Sequence, residues 1–156
     1  MAPSVGIIDA FNGANFIAPF ILDPNEPNRL LAGGVRLWRS NDIKAAGLPT
    51  WASVKGPSPT FQAISAIAVA QGNSNFGVVG HNDGGIFLSQ DGTAAVPAWV
   101  AINNGIPARF VTRIAIDETR LTPWIYATFG GFSADNVWRT QDLGVTWTDV
   151  TGSGIT

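Results

Sequence analysis

The last third of the chain reads as four short apolar runs separated by polar breaks. Residues 110–116 alternate between apolar and polar positions and are rich in β-branched side chains, which predicts a strand. The turn-prone stretch 117–123 follows, then a second run at 124–129. Gly130 and Gly131 open a loop, and runs at 136–140 and 146–150 complete the unit. The same order appears twice before it. Runs at 64–69, 76–80, 86–89 and 98–102 make a second unit, and runs at 16–22, 29–33, 35–40 and 50–54 make a first. No stretch carries a helical period; a turn of helix is expected only at 43–47, where extra residues lengthen a hairpin. The pattern predicts an almost entirely β chain.

A motif recurs with the units. Its clearest copy is Thr140-Gln141-Asp142-Leu143-Gly144-Val145-Thr146-Trp147, which reads S/T-x-D-x-G-x-T-W. Looser copies carry Ser40, Asp42, Gly47 and Trp51, and then Ser89, Asp91, Gly92 and Trp99. The aspartates (42, 91, 142) stand 49 and 51 residues apart, and the tryptophans (51, 99, 147) stand 48 and 48 apart. A bulky aromatic residue precedes each Ser/Thr by two positions: Trp38, Phe87 and Trp138. Polar joints recur at 23–28, 71–75 and 117–123. A fixed period of this size, with four strands in each unit, is the mark of propeller blades. The expected blades cover about 16–55, 64–103 and 110–151, within one domain spanning 1–156.

These motifs resemble the Asp-box (BNR) repeat found in sialidases, sortilin-type receptors and xyloglucanases. The resemblance runs from about residue 16 to residue 150. It implies an all-β fold of three four-stranded Asp-box propeller blades, with each box at the hairpin between third and fourth strands. The residues suit such a place. An aspartate can accept amide N–H bonds from its own turn, and a Ser/Thr hydroxyl can join it. Gly144 permits a positive φ, and Trp147 can bury a large apolar area between blades. Ser40, Asp42, Trp51, Ser89, Asp91, Trp99, Thr140, Asp142, Gly144 and Trp147 are therefore expected to be structural.

Composition narrows the chemistry. Charged residues make up 13% and the net charge is −2 with no basic block, so no nucleic-acid partner is expected. The absence of cysteine removes thiolate nucleophiles and Cys-based zinc sites. His81 is the single histidine and has no second histidine at metal spacing, so neither metal nor cofactor is expected. No run reaches the roughly eighteen apolar residues of a membrane helix, and no membrane partner is expected. The N-terminus lacks the pattern of a signal peptide. The compartment stays open, and the resemblance leans towards extracellular proteins.

Propeller geometry places the loops between second and third strands, and those between blades, on the face opposite the boxes. Asp83 and Asp135 occupy equivalent loops there. They are the candidate pair for glycoside hydrolysis, which needs two carboxyl groups across a cleft. His81, Asn82, Arg109 and Phe132 are candidate ligand contacts on the same face. The sialidase pattern of three arginines and a tyrosine nucleophile is not matched, since the one tyrosine, Tyr126, lies within a strand run. The expected function is a non-catalytic scaffold or binding module that presents loops to a protein or glycan. A fragment of a xyloglucanase-like glycoside hydrolase and a purely structural repeat unit are the alternatives. Closed propellers hold four to eight blades. Three blades leave two apolar faces open, so the half-propeller is expected to reach six blades by homodimerisation, or else to be a piece of a longer protein. Residues 5–9 read as the tail of a preceding fourth strand, and 12–14 and 151–156 read as inter-blade linkers.

Overall fold

A computed structural model describes residues 6–9 and 13–152. Twelve strands form three antiparallel sheets of four, each in simple sequence order. Blade 1 holds β1 (Phe20–Leu22), β2 (Leu30–Gly33), β3 (Leu37–Ser40) and β4 (Ala52–Lys55). Blade 2 holds β5 (Ile64–Ala70), β6 (Asn73–His81), β7 (Ile86–Ser89) and β8 (Val100–Ala101). Blade 3 holds β9 (Val111–Asp117), β10 (Trp124–Phe129), β11 (Val137–Thr140) and β12 (Thr148–Asp149). Equivalent pairs recur in register: Leu31 opposes Arg39, Val78 opposes Leu88, and Tyr126 opposes Arg139.

The alternation seen in the sequence becomes two packing faces. β5 alternates buried and half-buried positions along all seven residues because both its faces meet neighbouring sheets. Leu31, Leu37, Val54, Ile64 and Val79 form the core between blades 1 and 2, joined by Phe87 and Trp99. Val78, Ile86, Ile102, Val111, Ile114, Ile125 and Phe129 belong to the core between blades 2 and 3, against which Trp138, Leu143 and Trp147 pack. The first strands of successive blades lie side by side. Pro19 to Ile21, Ser65 to Val69 and Thr112 to Ile116 line a shared cavity of about 460 Å³.

Several expectations need revision. The first strand begins at Phe20 rather than residue 16, after Pro19, whose ring removes an N–H donor. The outermost strands β8 and β12 shrink to two residues each, because the motif hairpins take up the chain on either side of each tryptophan. Residues 43–47 make turns and no helix; the Ala45 amide donates to the Asp42 carbonyl at 2.9 Å, closing a β-turn. The strand tail expected at 5–9 is absent over its described part. Ile8 and Asp9 form a turn, and the Asp9 carboxylate accepts the Arg36 amide at 2.9 Å and the Trp38 indole at 2.5 Å. Residues 5, 12 and 153–156 of the expected tail and linkers lie outside the described residues. Among the described residues no helix is long and apolar enough to cross a membrane.

Candidate functional site

The three motif hairpins share one hydrogen-bonding scheme. In the third, Asp142 accepts the Thr140 hydroxyl at 2.8 Å, the Thr146 amide at 2.9 Å and the Thr146 hydroxyl at 2.6 Å. In the first, Asp42 accepts the Ser40 hydroxyl, the Thr50 amide and the Thr50 hydroxyl, each at 2.8 Å. In the second, Asp91 accepts the Ser89 hydroxyl at 2.9 Å and the Ala98 amide at 2.9 Å. Bonds to the charged form favour ionisation. The Thr146 hydroxyl and amide, with Thr140, hold the Asp142 carboxyl down at about 2, and the Ser40 hydroxyl with Thr50 lowers that of Asp42. Each of the three carboxylates ties the two sides of its own hairpin together.

Gly144 explains why the third copy keeps its glycine. Its φ is +88°, and an added Cβ would sit 2.4 Å from Cβ of Ile102 in the preceding blade. The motif tryptophans point the same way. Trp99 donates its indole N–H to the Val54 carbonyl at 2.9 Å, and Trp147 donates to the Ile102 carbonyl at 2.6 Å.

At the other end of the blades the loops form one continuous band. The Thr60 hydroxyl donates to Asp83, which also accepts the Gly85 amide at 3.1 Å. Gly84, at φ +90°, lies so close to the backbone of residues 107–109 that an added Cβ would meet the Pro107 carbonyl at 2.5 Å. Arg109 then donates to the Gly130 carbonyl at 3.1 Å, to Asn136 at 3.0 Å, and to the Asp135 carboxylate at 2.8 Å. The Gly130 amide closes the band on the Phe110 carbonyl at 2.8 Å.

Within this band the candidate residues take different places. Burial opposes ionisation of Asp83, but the Thr60 hydroxyl and the Gly85 amide outweigh it and hold its carboxyl below the usual range. Asp135 is half exposed and ion-paired with Arg109. Asn82 exchanges amide hydrogen bonds with Asn15, at 3.0 and 2.8 Å. Phe132 is fully exposed. His81 is fully buried at the end of β6, where its Nδ1–H donates to the Gln62 carbonyl at 2.8 Å, so it cannot meet a ligand on the surface of the band.

Sequence reasoning missed three participants. Phe61 and Phe110 join Phe132 as exposed aromatic rings on the band, and Phe61 holds a left-handed φ of +55° that only its tight turn on Ser58 explains. The positive φ leaves no mark in the sequence. Lys55 is the third: it is buried beside His81 and lines a cavity of about 320 Å³ with Pro57, Phe87, Val96 and Trp99. A charged residue at the end of an alternating strand reads as exposed, and its burial depends on the neighbouring blade. No group of three or more His, Cys, Asp or Glu side chains is arranged to hold a metal among the described residues.

The sequence matches no protein-family model and no curated protein. Among solved structures it is similar to an ancestral GH74 enzyme, with a TM-score of 0.60 and 18% identity over 91% of this chain. The fold is that of three propeller blades. The chain spans 20% of the length of that enzyme, and at this identity the likeness extends to the fold alone.

Proposed function

We propose that the chain is a non-catalytic propeller module that binds a glycan across its loop band. In this reading the repeated motif is the Asp box, and it holds the hairpins at the opposite end. The carrying observation is that the phenyl rings of Phe61, Phe110 and Phe132 are exposed on three of the loops of this band. Exposed aromatic groups clustered beside polar donors mark interaction sites. On the same band the half-exposed Asp135 carboxylate, paired with Arg109 through one oxygen, supplies a polar complement. A phenyl ring can cover the C–H face of a pyranose while the polar groups meet its hydroxyls.

The fold likeness to the ancestral GH74 enzyme supports a second reading, that the chain is a piece of a glycoside hydrolase. Hydrolysis would need one carboxyl group kept protonated as an acid. Asp83 is held in its ionised form and Asp135 is paired with Arg109, which favours the binding reading for this chain.

Affinity electrophoresis in gels cast with soluble β-glucans tests the proposal, with a reducing-end assay run on the same samples. The wild type should be retarded by at least one glycan, and Phe132→Ala and Phe61→Ala should migrate freely while unfolding at the same urea concentration as the wild type. Retardation unchanged in both variants, or no retardation in any gel, would refute glycan binding by the band. Release of reducing ends that Asp83→Asn abolishes would establish the hydrolase reading instead.

A further inference from the structure

The joints between the blades are built from two repeated contacts, and among the described residues each leaves one half without a partner in blades 1 and 3. In the first, a motif tryptophan donates to a carbonyl of the preceding blade: Trp99 to Val54 at 2.9 Å and Trp147 to Ile102 at 2.6 Å. The donors recur at 51, 99 and 147, and the acceptors at 54, 102 and 150. Trp51 opens the series and Val150 closes it. Among the described residues the Trp51 indole and the Val150 carbonyl have no hydrogen-bond partner.

The second contact is an arginine clasp. Arg39 reaches from β3 to the motif hairpin of blade 2, donating to the Gly92 carbonyl at 2.5 Å and the Ala94 carbonyl at 2.8 Å. Its counterpart in blade 3 is Arg139. Each follows a tryptophan, each precedes the hydroxyl residue of the motif, and each has a buried Nε with no partner. The Arg139 guanidinium lies 4.8 Å from the centre of the Trp124 ring, with Arg120 at 4.6 Å, so its plane is set before any partner arrives. In blade 2 the equivalent position is Leu88, facing Leu143.

The hairpin that such a clasp would grip is present in blade 1. The Ala45 amide donates to the Asp42 carbonyl at 2.9 Å as the Ala94 amide does to Asp91 at 2.8 Å. The Ile43 amide donates to Asn28 at 3.2 Å as the Gly92 amide does to Asn75 at 2.9 Å. The carbonyls of Ile43 and Ala45 therefore stand where Arg39 finds those of Gly92 and Ala94, and within the described residues nothing bonds to them.

We propose that this surface is completed by a second copy of the chain, docked head to tail. Arg139 of one copy donates to the Ile43 and Ala45 carbonyls of the other, whose Trp51 donates to the Val150 carbonyl of the first. Two such joints about a twofold axis close a ring of six blades, within the range of closed propellers. The joints lie on the blade faces and motif hairpins, so the proposal stands or falls apart from glycan binding by the loop band.

Light scattering coupled to size exclusion, over a concentration series, tests it. The wild type should run at twice the chain mass. Arg139→Ala and Trp51→Phe each remove two contacts per dimer, and each should raise the dissociation constant by about tenfold or more. Trp99→Phe breaks an internal joint and should leave that constant unchanged. A monomer at every concentration overturns the proposal. A dimer that neither variant weakens overturns the assigned contacts, and an open series of larger oligomers overturns the closed ring.

Discussion

Lys55 Nζ lies 3.2 Å from Nε2 of His81, and both side chains are buried beneath the loop band. The bond from Nδ1–H of His81 to the Gln62 carbonyl leaves Nε2 as the acceptor, so Lys55 is the donor of the pair. The amine also sits 4.0 Å from the centre of the Phe87 ring. Burial pushes His81 down to about 4, against the Gln62 bond and helped by the charge of Lys55. Burial pushes Lys55 down to about 8, against the charge of Asp83.

A pH dependence follows from this pair. In both groups the folded value lies below the unfolded one, so the unfolded chain binds more protons and stability rises with pH across each gap. For His81 the gap runs from about 4 to 6.5, and for Lys55 from about 8 to 10.5. The urea midpoint should climb through each of these windows. Asp142, held at about 2 against an ordinary 3.8, loses its contribution only below the His81 window. His81→Gln should flatten the climb between pH 4 and 6.5; an unchanged slope would remove His81 as its source.

The motif hydroxyl should matter more than its size suggests. Thr140 is buried; its oxygen accepts the Gly144 amide at 2.8 Å while its O–H donates to Asp142. Thr140→Val keeps the shape and strands the buried amide, which should cost about 1–3 kcal/mol in urea unfolding. A loss within error of zero would mean that the hairpin holds without its hydroxyl.

Gly144→Ala meets both a left-handed φ and the side chain of Ile102. The two penalties together should cost roughly 2–4 kcal/mol. Gly47→Ala, in the first hairpin and with open space around its Cβ position, should be nearly neutral by comparison. Equal effects at the two sites would contradict the packing of the third hairpin on blade 2.

The indole bonds between blades should be separable from the bulk of the rings. Trp99→Phe keeps an aromatic ring but leaves the Val54 carbonyl unpaired, at a cost of about 1–3 kcal/mol. Thermal unfolding of that variant should stay a single transition, because the core of Leu31, Ile64 and Val79 still joins blades 1 and 2.

The repeat made most of the fold legible. The run at 124–129 coincides with β10 and that at 86–89 with β7, because a short apolar run is bordered there by glycine or proline. Where sheets meet, the reading thinned. Nothing local distinguishes Arg39, which crosses to the next hairpin, from an exposed strand arginine. The burial of Lys55 and His81 likewise depends on blade 2 packing over blade 1. The aspartates of the motif and the Asp135 loop could be placed from spacing, but the exposed set of Phe61, Phe110 and Phe132 needed the loops in three dimensions.

The motif hairpins hold one end of the blades together, and the proposed glycan site lies on the loop band at the other. Calorimetric titration of the most strongly retained soluble β-glucan into Thr140→Val and Phe132→Ala, each also unfolded in urea, addresses that division most directly. The account predicts that Thr140→Val loses stability and keeps its glycan affinity, while Phe132→Ala keeps its stability and loses affinity by about tenfold or more. Lost affinity in Thr140→Val with unchanged affinity in Phe132→Ala would contradict it, and would move the binding site to the motif hairpins.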